Sequence, residues 1–267
     1  MNAVVQDTRL PSARVRKVEL PYSWIAVVVL LGLWQFACSL STSSAFLVPA
    51  PTAIAADLWH HWREFLPHIW TTTLEILVGF AGSIALGIPV AVMLTFSRVL
   101  DRSLYPLIVG SQVVPKVAIA PVMLAVFGYG MTPKVAIIIT IAFFPVVINA
   151  VVGLRSAPPQ MIHLARSMGA TTAQMFWRFR LPQALPSLMA GIKMASVLAV
   201  IGAVVAEFVG SDSGLGYLVV SAASDFNVTR QFAAILLLSA LGMAFFWVTE
   251  LAERYLLPWH VSNRRQE

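Results

Sequence analysis

Residues 161–188 read MIHLARSMGATTAQMFWRFRLPQALPSL, and the rest of the chain is arranged around them. Three arginines, Arg166, Arg178 and Arg180, lie in this stretch, and long apolar runs flank it on both sides. Gly169 divides it into two helical pieces, because a residue without a Cβ turns freely between them. Pro182 is expected to stop the second piece, since proline offers no N–H to the preceding turn and restricts the residue before it. Nothing in the stretch suits acid–base or nucleophilic chemistry. It reads as a short helix–turn–helix at a membrane surface, shaped to be gripped.

Composition sets the surroundings. Of 267 residues, 58% are hydrophobic and 11% charged, against about 25% charged in a soluble domain. Lipid must therefore cover much of the surface. The formal net charge of +6 would suggest nucleic acid in a soluble protein, but in a membrane chain it follows from loop charge asymmetry. One cysteine, Cys38, excludes an internal disulfide and a thiolate cluster. Arg14, Arg16 and Lys17 precede an apolar run that lacks a small-x-small cleavage site, so an uncleaved first span is expected.

Six segments approach the roughly 20 apolar residues that a spanning helix needs: 22–40, 69–96, 106–127, 134–154, 188–209 and 231–251. Pro89, Pro115, Pro121 and Pro145 fall within them and are expected as kinks, whose freed carbonyls a bundle can satisfy. With the N-terminus inside, the inner segments hold Arg9, Arg14, Arg16, Lys17, Arg98, Arg102, Arg155, Arg166, Arg178, Arg180, Arg254, Arg264 and Arg265, and the outer ones only Arg63, Lys134 and Arg230. The positive-inside rule then places 161–188 and both termini in the cytoplasm.

The outer segment 41–68 carries Ile54, Leu58, Trp62 and Phe65 at helical spacing, which predicts one short interfacial helix with Trp59 and Trp62 at headgroup depth. His60 and His61 point about 100° apart on a helix and so cannot share a metal ion. The second outer segment opens GSDSGLGYL from Gly210, predicting a tight re-entrant turn. No GxxxxGK[ST] occurs, so any ATP used must bind another chain.

Ionisable groups in the bilayer cost about 2.5–3.5 kcal/mol each on insertion scales, so each requires an account. Lys193 is expected to snorkel and Glu250 to be solvated. Lys116 falls mid-span, where a water-lined pathway or an internal pair would answer its charge. Glu75 and Glu207 lie toward the outer face. Asn149 and Gln112 either join helices or touch substrate. Gly79, Gly82, Ser83 and Gly87 allow close helix approach in the second span.

The 161–188 stretch resembles the cytoplasmic signature of the permease subunits of ATP-binding-cassette importers: Glu-Ala-Ala, three residues, Gly, nine residues, Ile, one residue, Leu-Pro. Here His163, Leu164 and Ala165 open the pattern, Gly169 follows, then Phe179, and Leu181 and Pro182 close it. The spacing is complete, but His163, Leu164 and Phe179 depart, so the family's acid has no counterpart. AVVAEFVGSDSGLGYL (203–218), LVPAPTAI (47–54) and FFPVVINAVVGLRS (143–156) resemble the same family, in its nitrate, taurine and sulfonate branch.

That resemblance implies an all-α polytopic bundle of about six spans with a cytoplasmic coupling helix, the type I importer fold. It divides the chain into a cytoplasmic segment 1–21, a permease domain 22–257 with its coupling loop at 155–187, and a tail 258–267. It implies an ATPase contact through His163, Leu164, Ala165, Arg166, Gly169, Ala170, Phe179, Leu181 and Pro182, and a pathway touched by Glu75, Lys116, Asn149 and Glu207. The implied partners are a second copy, two ATPase subunits carrying ATP and magnesium, and an external binding protein. No cofactor is expected in this chain. The implied substrates are small organic or anionic solutes: sulfonates, taurine, nitrate, pyrimidine vitamin precursors, riboflavin-like compounds or aromatic acids. The alternative, a stand-alone ion-coupled carrier, would more often be longer and repeat-built.

Overall fold

The computed structural model describes residues 22–40 and 48–258. The expected N-terminal segment 1–21 lies outside them, as do the tail beyond Pro258 and the basic residues of both. Among the described residues all regular structure is helical: α1 Tyr22–Leu40, α2 Pro51–His60, α3 Trp62–Phe96, α4 Arg98–Gly110, α5 Lys116–Phe127, α6 Met131–Arg155, α7 Pro159–Ser167, α8 Thr172–Met175, α9 Leu181–Gly210, α10 Leu215–Ser224 and α11 Val228–Leu256.

Four stretches are long and apolar enough to cross a bilayer: Trp62–Phe96, Met131–Arg155, Thr172–Gly210 and Val228–Leu256. These correspond to the second, fourth, fifth and sixth expected spans. The first appears as the shorter apolar helix Ile25–Leu40. The third is not one helix: α4 and α5 meet at 102° across the turn Ser111–Val113. Pro115 is the reason. It forces Val114 into an extended conformation (ψ 124°), so the α-helix cannot continue through it. In contrast, α3 and α6 run through Pro89 and Pro145 without a break.

Two further expectations need correction. The interfacial helix predicted through Ile54 and Phe65 breaks at His61, and its second half becomes the start of α3. The break lets Ile54 of α2 and Phe65 of α3 bury in one cluster with Ala233 of α11, while Arg230 of α11 reaches Glu64 at 2.7 Å. Pro182 does not stop its helix either: the chain stays helical from Thr172 to Gly210. A π-helical turn over Phe176–Arg180, in which the Leu181 N–H donates to the Phe176 carbonyl, widens the helix where the proline N–H is missing.

The core is the α6–α9 interface, with α3 against α6. Ala195, Ala199 and Ala203 recur every four residues on α9 and are fully buried against Ile138, Ala142 and Val146 of α6 and Ile76 of α3. In lipid no hydrophobic force draws helices together, so close packing of small residues does the work. Gly79, Gly82 and Gly87 of α3 lie against Ile138, Ile139 and Val146, as their spacing predicted.

Contacts sort the helix ends into two groups. Phe96 ends α3 beside Phe176, and Arg155 ends α6 beside Asp101 and the Leu94 carbonyl. At the opposite end, Thr72 and Glu75 of α3 meet Lys134 of α6, Glu207 of α9 and the start of α10. Arg230 at the start of α11 reaches Glu64 on that same side. Thus α3, α6 and α11 run one way and α9 the other. The α4–α5 pair returns the chain between α3 and α6, and α10 dips in at the second end without crossing.

Candidate functional site

Each end of the bundle carries one candidate site. At the first, α7 begins at Pro159, whose fixed φ suits the first helical turn. Gly169, at φ +82°, ends it in a conformation that favours glycine, with the Ala170 N–H donating to the Ala165 carbonyl at 3.0 Å. Thr171 then starts α8 with a capping box. Its hydroxyl accepts from the Gln174 N–H at 3.2 Å, and the Gln174 side chain accepts from the Thr171 N–H at 2.9 Å. Ala165 and Met175 turn inward, while His163, Leu164, Arg166, Met168 and Gly169 face out. Leu164, Met168 and Trp177 are 63%, 79% and 65% exposed, a dense apolar display for a charged loop. Ala170, Phe179 and Leu181 are half-buried and Pro182 is exposed. The loop is anchored through Phe176, whose ring centroid lies 5.8 Å from that of Phe96, and through Arg180 over the Phe96 ring at 5.5 Å.

The second end holds a buried polar cluster. The Lys134 ammonium donates to Glu75 Oε1 at 2.7 Å and to Ser211 Oγ at 2.6 Å. The Thr72 hydroxyl donates to Glu207 Oε1 at 2.6 Å and accepts from the Leu215 N–H at 2.8 Å. Glu207 Oε2 accepts from the Gly216 N–H at 2.5 Å, and His68 Nδ1 accepts from the Gly214 N–H at 3.0 Å. Thr72, Glu75, Lys134 and Glu207 are all buried. A side chain at Gly214, which has φ +111°, would run into the Glu207 carboxylate.

Of the four pathway candidates named from sequence, this cluster unites Glu75 and Glu207. Lys116 and Asn149 lie elsewhere. Lys116 opens α5 at the bend, where its ammonium donates to Gln112 Oε1 at 2.8 Å and lies 5.9 Å from the Phe144 ring centroid. Asn149 donates to the Pro145 carbonyl at 2.9 Å, and its own carbonyl accepts from Ser187 at 3.0 Å across the α6–α9 interface. Sequence reasoning missed Thr72, Lys134 and Ser211. Lys134 heads an apolar run and falls by sequence among the outer basic residues, with only Glu75 and Glu207 to hint at a partner. Lys193 pairs with Glu250 at 2.7 Å and Glu253 at 2.6 Å, near the loop-side end of α11. Glu250, expected in solvent, also meets Arg254 at 3.4 Å.

Residues 83–257 match the family described as a binding-protein-dependent transport system inner membrane component. The chain is 35% identical over 246 residues to a probable ABC transporter permease protein of Haemophilus influenzae, covering 92% of this chain and 100% of that one. It is 36% identical over 235 residues to the formylaminopyrimidine transport permease protein ThiX of Halalkalibacterium halodurans, covering 87% and 93%. In fold it is similar to a chain of the MetNI methionine ABC transporter in an inward-facing conformation, with TM-score 0.63 at 21% identity over 75% of this chain and 97% of that one. The helical bundle, the glycine-hinged loop and these matches lead to one assignment: the chain belongs to the binding-protein-dependent inner membrane component family, as a non-enzymatic permease subunit of an ABC importer.

Proposed function

We propose that this permease carries a small organic solute across the bacterial inner membrane by alternating access, driven through residues 161–188. The observation that carries the reading is the exposed face of α7, α8 and the turn after them, set at one end of a helix that stays continuous from Thr172 to Gly210. A separate ATPase subunit, holding ATP and magnesium, grips that face through His163, Leu164, Ala165, Arg166, Gly169, Ala170, Phe179, Leu181 and Pro182. Displacement there tilts α9 and, through the α6–α9 interface, α6 as well. Two copies of the chain enclose the pathway. Exposed Val113, Val117, Val122 and Phe127 around the α4–α5 bend supply apolar surface for the second copy. A binding protein delivers solute at the end that holds Glu75 and Glu207, with Lys116 and Asn149 farther along the route. Both termini and the 161–188 loop face the cytoplasm.

The ThiX relative, named for formylaminopyrimidine and 36% identical, supports a small heterocycle as the solute over nitrate or a sulfonate. The deciding experiment is Gly169→Leu in the assembled transporter. A Cβ at Gly169 meets nothing of this chain within 4 Å, so the substitution strains the backbone at φ +82° and sets a bulky side chain on the face turned to the ATPase. Uptake should collapse while the complex still forms. Wild-type uptake with hydrolysis still coupled to it would refute the reading.

A further inference from the structure

The start of α10 is capped by tertiary contacts. The first N–H groups of a helix have no partner within it and need acceptors from elsewhere. Here none comes from the preceding loop. The Gly214 N–H donates to His68 of α3, the Leu215 N–H to Thr72 of α3, and the Gly216 N–H to Glu207 of α9. Glu207 also accepts from Thr72, so a single carboxylate ties α3, α9 and α10 together. An acidic group at a helix N-terminus is favoured by the helix dipole as well. Three bonds to consecutive amides fix both the position and the direction of a helix only ten residues long.

Glu207 stands on the helix that begins at Thr172, at the far end from the loop. We infer that Glu207 and Thr72 are positioning residues that make α10 move with α9, so that a push received at residues 161–188 is delivered as a displacement of α10 at the solute-receiving end. The inference rests on the importer reading above. It supplies what coupling requires, a contiguous element that both ends can bias. With Glu207 gone, the bonds to His68 and Thr72 keep α10 against α3, but it is no longer tied to α9 and so to the state of the ATPase.

The test uses the complete transporter with its ATPase and binding protein, with Cys38→Ser and a reporter cysteine at exposed Ser224 near the end of α10. The rate of modification by a water-soluble maleimide is compared between the nucleotide-free and vanadate-trapped states. The parent should show a several-fold difference in rate between states. Glu207→Ala should abolish that difference and lower uptake per ATP hydrolysed several-fold, by about 2- to 30-fold, the size of effect that mutations along a coupling network produce. Thr72→Val keeps the shape and removes the hydroxyl, whereas Thr72→Ser keeps the hydroxyl and loses a methyl. The clamp requires Val to uncouple and Ser to preserve coupling, whereas a packing role requires the reverse. State-dependent labelling that survives in both Glu207→Ala and Thr72→Val overturns the inference and leaves the importer reading standing. Should Glu207→Ala fail to assemble, the Thr72 pair decides alone. A parent transporter without ATP-dependent uptake removes both.

Discussion

A lysine ammonium in hydrocarbon persists only where its charge is answered, and Lys134 is answered twice, by Glu75 and by the Ser211 hydroxyl. The pair is nearly sealed from solvent, with side chains 5% and 3% exposed. Removing one member strands the other as a buried charge, which costs about 3–5 kcal/mol in the systems where it has been measured, whereas replacing both with apolar groups of similar volume is often neutral. Lys134→Met should therefore lower the thermal unfolding midpoint of the purified permease clearly, and Glu75→Leu should do the same. The double variant should recover most of the loss, a coupling that the four-corner comparison of midpoints measures directly. Equal and additive losses would mean that the two charges do not depend on each other.

Between helices the decisive quantity is backbone separation. A Cβ at Gly191 of α9 would stand 2.6 Å from the Asn149 Cβ and 2.7 Å from the Pro145 carbonyl of α6, and both are held by the α6 backbone rather than by a flexible side-chain tip. Gly191→Ala must force α6 and α9 apart, and overpacking of this kind costs about 1–3 kcal/mol. Gly110→Ala, which meets nothing within 4 Å near the end of α4, should leave the melting midpoint unchanged or raise it slightly. Melting curves of the two variants check both directions. The same scale shows what could be read beforehand. Long apolar runs announced α3, α6, α9 and α11, and the glycines of α3 announced their packing, because hydropathy and spacing are local properties. Hydropathy could not tell that Pro115 breaks its span while Pro145 does not, since that depends on the hydrogen bonds available around each proline. Pro182 misled for the same reason: a π turn absorbs it, and no residue pattern marks that turn. The loop at 161–188 was legible because its residues are contiguous. The polar cluster was only half legible because Thr72, Lys134, Glu207 and Ser211 come from distant parts of the chain and meet only after folding.

At the scale of the whole molecule, the proposed sidedness rests on charge, and the clearance of the loop from the bilayer rests on length. The described basic residues near the loop end are Arg98, Arg102, Arg155, Arg166, Arg178, Arg180 and Arg254, against Arg63, Lys134 and Arg230 at the other end, and such an excess marks the cytoplasmic face. Length gives the clearance. The 39 residues of Thr172–Gly210 span roughly 58 Å at 1.5 Å per residue, while the hydrocarbon core is about 30 Å thick and the headgroups bring the total to about 40–45 Å. A helix this long, with its far end fixed at Glu207 in the polar cluster, must carry α8 out of the bilayer on the loop side. Single cysteines at Met168 and Asp212, each in the Cys38→Ser background, should therefore react with a membrane-impermeant maleimide from opposite faces. Met168→Cys should label only in inverted vesicles, and Asp212→Cys only in right-side-out ones. The reverse pattern would put the loop out of reach of any cytoplasmic ATPase. Labelling of both from one face would mean that the helical stretch Thr172–Gly210 does not cross the membrane, against its length and hydropathy.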